Sequence, residues 1–368
     1  MLELARFAYN KQLELKIYAY QKEDKNLTQF DLNNSLHRLK EAYPSLKKVH
    51  SQVLQNINQR ISYAFQNFYN RVKKGGKPGF PRFKGKLRFD SLTYPQSGFQ
   101  LEKKLFISKV GEVALVRHRK LDGKIKTLTI KRTSTNKWHA CFSVEKEPAR
   151  KLPREQKSIG IDLGLANFYA TSDGNTIEHP CYLRKAGQKL AFFQKKHSRK
   201  KPRSSNRKKS RLKVAKLHEK ICQQRLDFLH KVTRQLANNY SAIAVEKLHI
   251  QNMLHHPYLA KSISDASWRK FIQLLSYKVE ETGGKLVGVN PNGTSQYCIC
   301  GSKVAKSLAV RVHKCHKCGR DMDRDVMSAM VIKQRAFDGA TAGSAGSNAW
   351  GDERLLSSMS QESLASKG

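Results

Sequence analysis

Acidic residues are scarce in this chain. Its 368 residues hold 29 Asp and Glu against 70 Lys and Arg, a formal net charge of +41. A compact body with that imbalance repels itself unless a polyanion neutralises it. Nucleic acid fits best, because many phosphates can be paired at once, with an anionic membrane surface as the competitor. Long apolar runs are missing as well: no stretch of about 18 apolar residues exists, so nothing in the sequence is expected to span a bilayer. The opening Met1-Leu2-Glu3-Leu4 lacks the basic-then-apolar pattern of a secretory signal, which makes a cytoplasmic location the expectation. Cysteines number 7 and do not read as disulfides. Cys141, Cys181 and Cys222 lie far apart, whereas Cys298, Cys300, Cys315 and Cys318 cluster, the pattern of a metal site in a reducing compartment. No internal repeat is visible. What is present is 39% hydrophobic residues, enough to build real cores in two or three domains.

Hydrophobic periodicity organises the chain. Residues 1–74 read as helical, and from Val53 the positions Ile57, Ile61, Phe65, Phe68 and Val72 recur at helix spacing up to the breaker Gly75-Gly76-Lys77-Pro78-Gly79. Over 80–150 the period switches to two: Leu128 and Ile130, then Trp138, Ala140, Phe142 and Val144, alternate with polar residues, which suggests a small barrel or sandwich. Residues 151–154 read as a linker. A strand follows at Ser158–Asp162, a second near Phe168–Thr171, and a turn at Asp173-Gly174. A long helix carries Leu217, Ile221, Leu226, Leu229, Val232 and Leu236. A strand at Ala242–Glu246, a helix beginning near Asp265, a strand at Leu286–Val289 and a last helix over about 325–335 complete the pattern. Residues 338–368 hold little apolar content and are expected to be disordered.

Four carboxylates sit at the ends of apolar elements. Asp162 closes one strand and is followed by Leu163-Gly164, Glu246 closes a second, and Asp323 and Asp325 stand at the start of the last helix. A carboxylate at a strand end can point out of a sheet's edge toward a metal, and Gly164 leaves room for close approach. Phosphodiester cleavage needs carboxylates from separate elements converging to hold two magnesium ions about 3.5–4 Å apart. The bland alternative is that each acid merely terminates its element facing solvent.

The motifs around these acids carry a resemblance. Ser158-Ile159-Gly160-Ile161-Asp162-Leu163-Gly164, Ala244-Val245-Glu246-Lys247-Leu248 and Asp323-Arg324-Asp325-Val326 resemble the three motifs of a RuvC-type nuclease, and more closely those of the TnpB (OrfB) family, transposon-encoded relatives of type V CRISPR effectors. Gly79-Phe80-Pro81-Arg82-Phe83-Lys84, Gln223-Gln224-Arg225, Ser264-Asp265-Ala266 and Thr294-Ser295-Gln296 match as well, so that the resemblance runs from about Ala5 to Ile332. It implies an RNA-guided DNA endonuclease, using guide RNA from the transposon end and acting on double-stranded target DNA, with Asp162, Glu246 and Asp325 as catalytic, magnesium-binding residues. It further implies an α+β multidomain chain with an RNase H-like (RuvC) core. The expected domains are a helical recognition segment over 1–75, a wedge-like β-barrel over 76–150, the nuclease core over 151–290, a zinc-finger-like target-binding insert over 291–321, the last RuvC motif and helix over 322–336, and the tail over 337–368. A monomer is expected. Two departures stand out beside the one in the cysteine segment. The family has Asn two residues after its third acid, and here that position is Met327; the family opens with a short strand before its first helix, and this chain begins near that helix.

The cysteines form two pairs, Cys298-Ile299-Cys300-Gly301 and Cys315-His316-Lys317-Cys318-Gly319. Thiolates in a tetrahedral set favour zinc, and four of them make a closed, structural site. The second pair has the usual two-residue gap, while the first has one residue where the family has two. Both cysteines bind in a tighter loop, or His313 or His316 replaces one of them; a reduced, metal-free segment is the remaining alternative.

The stretch 184–220 is intensely basic. Lys195, Lys196, Arg199, Lys200, Lys201, Arg203, Arg207, Lys208, Lys209 and Arg211 occur where acidic partners are nearly absent, so phosphate contacts are a better reading than a solvated face paired along its own helix. Tyr63, Phe65, Phe68 and Tyr69 could stack bases, but at helix spacing they are expected in the core. Besides the endonuclease, three functions stay open: a cleavage-dead RNA-guided DNA-binding protein, a strand-transferring transposase, for which the His-hydrophobic-His pair and nucleophilic Tyr are missing, and a general RNA-binding protein.

Overall fold

The computed structural model describes residues 1–145, 157–307 and 310–338. The expected linker at 151–154 and the expected disordered tail from 339 onward lie outside the described residues, whereas Phe337, expected in that tail, closes the last helix. The chain divides into two compact units, 1–147 and 148–368.

The first unit begins with helices α1 (Leu2–Glu23), α2 (Gln29–Asn34) and α3 (Leu36–Ala42), a 3-10 turn at Pro44–Lys48, and α4 (Ser51–Lys73). Thr28 and Asp31 form a reciprocal capping box that starts α2. Six strands follow: β1 (Ser91–Tyr94), β2 (Phe99–Leu101), β3 (Leu105–Ile107), β4 (Gly111–Val113), β5 (Lys124–Arg132) and β6 (Trp138–Glu145). They do not close into a barrel. Among the described residues they form two separate antiparallel three-stranded sheets, β1-β5-β6 and β2-β3-β4. The reason is packing. Leu92, Tyr94 and Leu128 bury their side chains in one core with Val53, Ile57 and Ile61 of α4 and Leu13 of α1, so helices fill the face that a barrel would turn inward. Arg60 of α4 ties the two layers, donating from Nη1 to the Ser91 carbonyl (3.3 Å) and from Nη2 to Thr93 Oγ1 (2.9 Å). The α4 aromatics divide: Phe65 is core, whereas Tyr63 and Tyr69 are exposed.

The second unit is built on β7 (Ser158–Leu163), β8 (Asn167–Thr171) and β9 (Thr176–Glu178), helices α5 (Tyr182–Ser198) and α6 (Ser205–Asn239), β10 (Ala242–Glu246), α7 (Ile250–Met253), α8 (Ala260–Ala266), α9 (Trp268–Glu281) and β11 (Lys285–Val289). A 3-10 turn at Thr294–Gln296, the small hairpin β12 (Val312–Lys314) and β13 (Asp321–Asp323), and α10 (Arg324–Phe337) complete it. Its five-stranded sheet has the order β11-β10-β7-β8-β9. Strands β7, β10 and β11 run parallel, and β8 and β9 are antiparallel additions. The architecture is mixed α+β. The helix expected near Asp265 is two helices: Ser267 takes a left-handed conformation (φ 56°) between α8 and α9.

Strand alternation sends side chains to opposite faces. Ile159, Ile161, Ile243 and Val245 pack against Leu229, Val232, Phe271 and Leu275 of α6 and α9. Each fully buried aliphatic side chain contributes about 1.5–3 kcal/mol. Gly160, Asp162, Ala244 and Glu246 belong to the other face, which α10 covers. No helix among the described residues is long and apolar enough to cross a membrane.

Candidate functional site

Parallel register brings two of the acids together. Ile161 pairs with Val245 across β7 and β10, which sets Asp162 level with Glu246 on the same face. Each acid is preceded two positions earlier by a residue with little or no side chain, Gly160 and Ala244, and these two are themselves register partners. Helix α10 lies over them so closely that a Cβ on Gly160 would stand 2.1 Å from the Ala329 carbonyl oxygen. This contact fixes the N-terminal turn of α10 above the strand ends, and Asp325 is in that turn. Its Oδ2 is 4.0 Å from where a Cβ on Gly164 would be.

Asp323 does a different job. Its Oδ1 accepts from the backbone N–H of Asp325 (2.8 Å) and of Val326 (3.1 Å), the geometry of a helix N-cap. Asp325, with its side chain 13% exposed, therefore keeps a carboxylate directed at the cluster, where Arg311 Nη1 (3.5 Å) and Arg324 Nε (3.8 Å) approach it. Glu246 is buried and accepts a hydrogen bond at Oε1 from the Thr294 hydroxyl.

Burial raises the Asp162 carboxyl well above the usual carboxylate range, and the charges of Glu246 and Asp325 add to the effect, with the Ser328 hydroxyl and the Arg324 guanidinium acting against it. Burial also raises Glu246, against the Thr294 hydroxyl and the Arg335 guanidinium. Acids that resist ionisation alone but share one face form a set that a hard cation would stabilise, and carboxylate oxygen suits magnesium.

The four cysteines converge. Cys298 Sγ lies 3.6 Å from Cys318 Sγ, Cys300 Sγ lies 3.6 Å from Cys315 Sγ, and all four sulfurs are within 4.8 Å of one another. Four thiolates at about 2.3 Å from one zinc ion would be about 3.8 Å apart, so the set fits a tetrahedral metal. Among the described residues this is the one group of His, Cys, Asp and Glu side chains drawn together so tightly. The short first pair is accommodated by a tighter turn. In both knuckles the Gly N–H returns to the first cysteine's carbonyl (2.9 Å each), from three residues on at Gly301 and from four at Gly319. Both glycines have positive φ, 83° and 68°, where an L side chain would be strained. His313 stands outside the set, buried with Nδ1 2.5 Å from Lys306 Nζ. Burial raises the Cys298 thiol to about 12, while hydrogen bonds from Ser302 bring Cys300 down to about 6. Met327 is buried in one apolar cluster with Cys298, Cys315 and Val331, which gives a packing reason for an apolar residue at that position.

The basic residues form a helical hairpin. Lys195 and Lys196 lie on α5, Arg199, Lys200, Lys201 and Arg203 in the turn, and Arg207, Lys208, Lys209 and Arg211 at the start of α6. All are exposed except Lys200 and Arg207, which are half-buried; Arg207 Nη1 donates to the Lys200 carbonyl (2.8 Å). Asp265 anchors the hairpin: its carboxylate accepts from Leu183 N (3.0 Å) at the start of α5 and from Arg225 Nη2 (2.8 Å) of α6. Sequence reasoning gave no role to Thr294, Asp265 or Arg335, although Thr294 and Asp265 stand in stretches that match the family; Arg311, expected among the basic residues that grip nucleic acid around the cysteines, stands beside Asp325.

Comparison with known proteins agrees with this architecture. A family profile described as "Probable transposase" matches residues 141–256, and one described as "Cas12f1-like, TNB domain" matches residues 268–332. Two relatives share the name "Putative RNA-guided DNA endonuclease". One, from Streptomyces pristinaespiralis, is 32% identical over 89% of this chain and 82% of its own length. The other, InsQ from Escherichia coli K12, is 30% identical over 78% of this chain and 75% of its own. In fold, the chain resembles the protein in "Cryo-EM structure of the Cas12f1-sgRNA-target DNA complex", with a TM-score of 0.55 and 14% identity over 90% of this chain and 80% of that one. The chain belongs to the TnpB (OrfB) family, whose relatives are named as RNA-guided DNA endonucleases.

Proposed function

We propose that the protein is an RNA-guided DNA endonuclease with a RuvC-type site of Asp162, Glu246 and Asp325. The observation that carries this reading is the convergence of three carboxylates from β7, β10 and α10 on one sheet face, with Asp162 and Glu246 held in parallel register. Magnesium bound there would activate water and stabilise the departing oxygen of a phosphodiester. The protein's own part is to hold the carboxylates: the sheet fixes Asp162 and Glu246, the close packing of α10 fixes Asp325, and Asp323 caps the helix so that Asp325 stays free for the cluster. Cys298, Cys300, Cys315 and Cys318 hold a structural zinc. Lys195, Lys196, Arg199, Lys200, Lys201, Arg203, Arg207, Lys208, Lys209 and Arg211 grip phosphates without reading bases. Guide RNA from the transposon end directs the protein to double-stranded target DNA, and base pairing reads the sequence.

The test is cleavage of a randomised target library by protein co-purified with its RNA, with magnesium present. Asp162→Ala is expected to abolish cutting and keep RNA-dependent DNA binding. A parent protein that binds its target and never cuts would overturn the reading in favour of a binding protein, and a strand-transfer product would overturn it in favour of a transposase.

A further inference from the structure

Besides Arg311, a second polar side chain reaches the carboxylate cluster from outside the three elements that bear the acids. Thr294 opens the 3-10 turn after β11 and is buried, and its Oγ1 lies within hydrogen-bond reach of two acceptors, Glu246 Oε1 and the Pro291 carbonyl (3.1 Å). A hydroxyl has one proton to donate. An ionised carboxylate is the stronger acceptor, so the proton goes to Glu246 whenever Glu246 is charged. A carboxylate held at Oε1 loses its freedom to rotate and presents Oε2 in one direction.

The turn that carries Thr294 is itself held firmly. Gly293 has φ 74°, and the Tyr297 ring fills the space where its Cβ would stand (2.8 Å). Arg335 of α10 donates from Nη1 to the carbonyls of Asn290 (3.3 Å) and Asn292 (2.7 Å) and lies over the Tyr297 ring at 5.8 Å. Four residues after Thr294 comes Cys298, whose N–H closes the first knuckle onto Ser302 O (2.9 Å). The hydroxyl is thus fixed on one side by the helix that carries Asp325 and on the other by the cysteine knuckle.

We propose that Thr294 is a positioning residue of the cleavage site: its hydroxyl orients the Glu246 carboxylate for a divalent cation, and the turn between β11 and the cysteine knuckle sets where that hydroxyl stands. The inference rests on the reading of Glu246 as a cation-binding carboxylate of that site. Thr294 acts through Glu246, so its removal acts on cation affinity and leaves target binding alone.

The experiment uses the full-length protein with its RNA, as parent, Thr294→Val, Thr294→Ala, Thr294→Ser and Glu246→Gln. Single-turnover cleavage is titrated with magnesium, manganese binding is followed by loss of the free-ion EPR signal, and target binding is measured in EDTA. Losing a hydrogen bond to a charged group is expected to raise the half-saturating magnesium concentration, and weaken manganese binding, by about tenfold in the valine variant. Target affinity stays at the parental level, and the serine variant, which keeps the hydroxyl, behaves as the parent does. If the valine variant fails to fold, the alanine variant takes its place in the comparison. Parental magnesium dependence in the hydroxyl-free variant overturns the proposal, and so does a serine variant as impaired as valine. Parental cleavage by Glu246→Gln refutes the assignment of the site itself, a separate result.

Discussion

Substituting Gly160 by Ala tests whether the packing of α10 on β7 sets the geometry of the carboxylate cluster. The added Cβ would stand 2.1 Å from the Ala329 carbonyl oxygen, 2.7 Å from Lys333 N and 2.8 Å from Lys333 Cβ, whereas ordinary contact begins at 3.4 Å. Two of these atoms are backbone, so no rotamer change relieves the clash, and the helix must lift by about 1.3 Å, the difference between 3.4 and 2.1 Å. Ala329 follows Asp325 by one helical turn, so the Asp325 carboxylate moves with it while Asp162 stays on the strand. Misplacing a reacting group by about 1 Å can lower a rate by about 100-fold. Overpacking of this kind costs about 1–3 kcal/mol of stability, within what a domain of ordinary stability tolerates. The assay is single-turnover cleavage by the RNA-loaded protein at saturating magnesium, with target binding and thermal melting alongside. The expected outcome is a roughly 100-fold slower cut, parental DNA binding and a lowered Tm. A Gly160→Ala protein that folds, binds and cuts within threefold of the parent rate would refute the reasoning.

Other perturbations address separate features. Asp265→Ala leaves Arg225 and the first N–H groups of α5 without their carboxylate and is expected to destabilise the second unit by about 3 kcal/mol in denaturant melts; a change under 1 kcal/mol would deny Asp265 its anchoring role. Metal analysis is expected to find one zinc per chain, lost in Cys315→Ser together with several degrees of Tm; full zinc content in that variant would exclude Cys315 as a ligand. The raised Asp162 carboxyl holds its proton best without a cation, so its contribution to stability is present at low pH and fades as pH rises through the raised value. A divalent cation must displace that proton, so affinity is expected to rise with pH by up to about tenfold per unit while the group stays protonated. Calorimetry in two buffers of different ionisation heat measures the released proton, and a pH-independent affinity would contradict the burial of Asp162.

Much of this site was legible because strand chemistry is local. Ile159-Gly160-Ile161-Asp162 and Ile243-Ala244-Val245-Glu246 show the alternation that puts aliphatics on one face and acids on the other, with a small residue two positions before each acid. Other features depend on partners that local pattern does not reveal. Period-two alternation around Leu128 marks a sheet with one apolar face, but not whether strands or helices cover it, and α4 covers it. The apolar period runs on through Ser267, where a left-handed φ splits α8 from α9 with no glycine to signal the break. Asp323 and Asp325 have equal standing by residue pattern alone; the family resemblance selects Asp325, and cap geometry gives Asp323 its separate job. Thr294 stands in a stretch that matches the family, but nothing local gives its role, since its partner is 48 residues away.

The order in which the acids occur has a consequence for biosynthesis. Asp162 lies in β7, Glu246 in β10 and Asp325 in α10, among the last of the described elements. A ribosome emits the chain from its N-terminus, and the second unit's sheet can assemble with two acids in place before α10 has left the exit tunnel. Until then no third carboxylate exists outside the ribosome, and Gly160 and Ala244 have no helix to cover them. On the proposed reading, the complete carboxylate set would form in a single late step, when α10 docks.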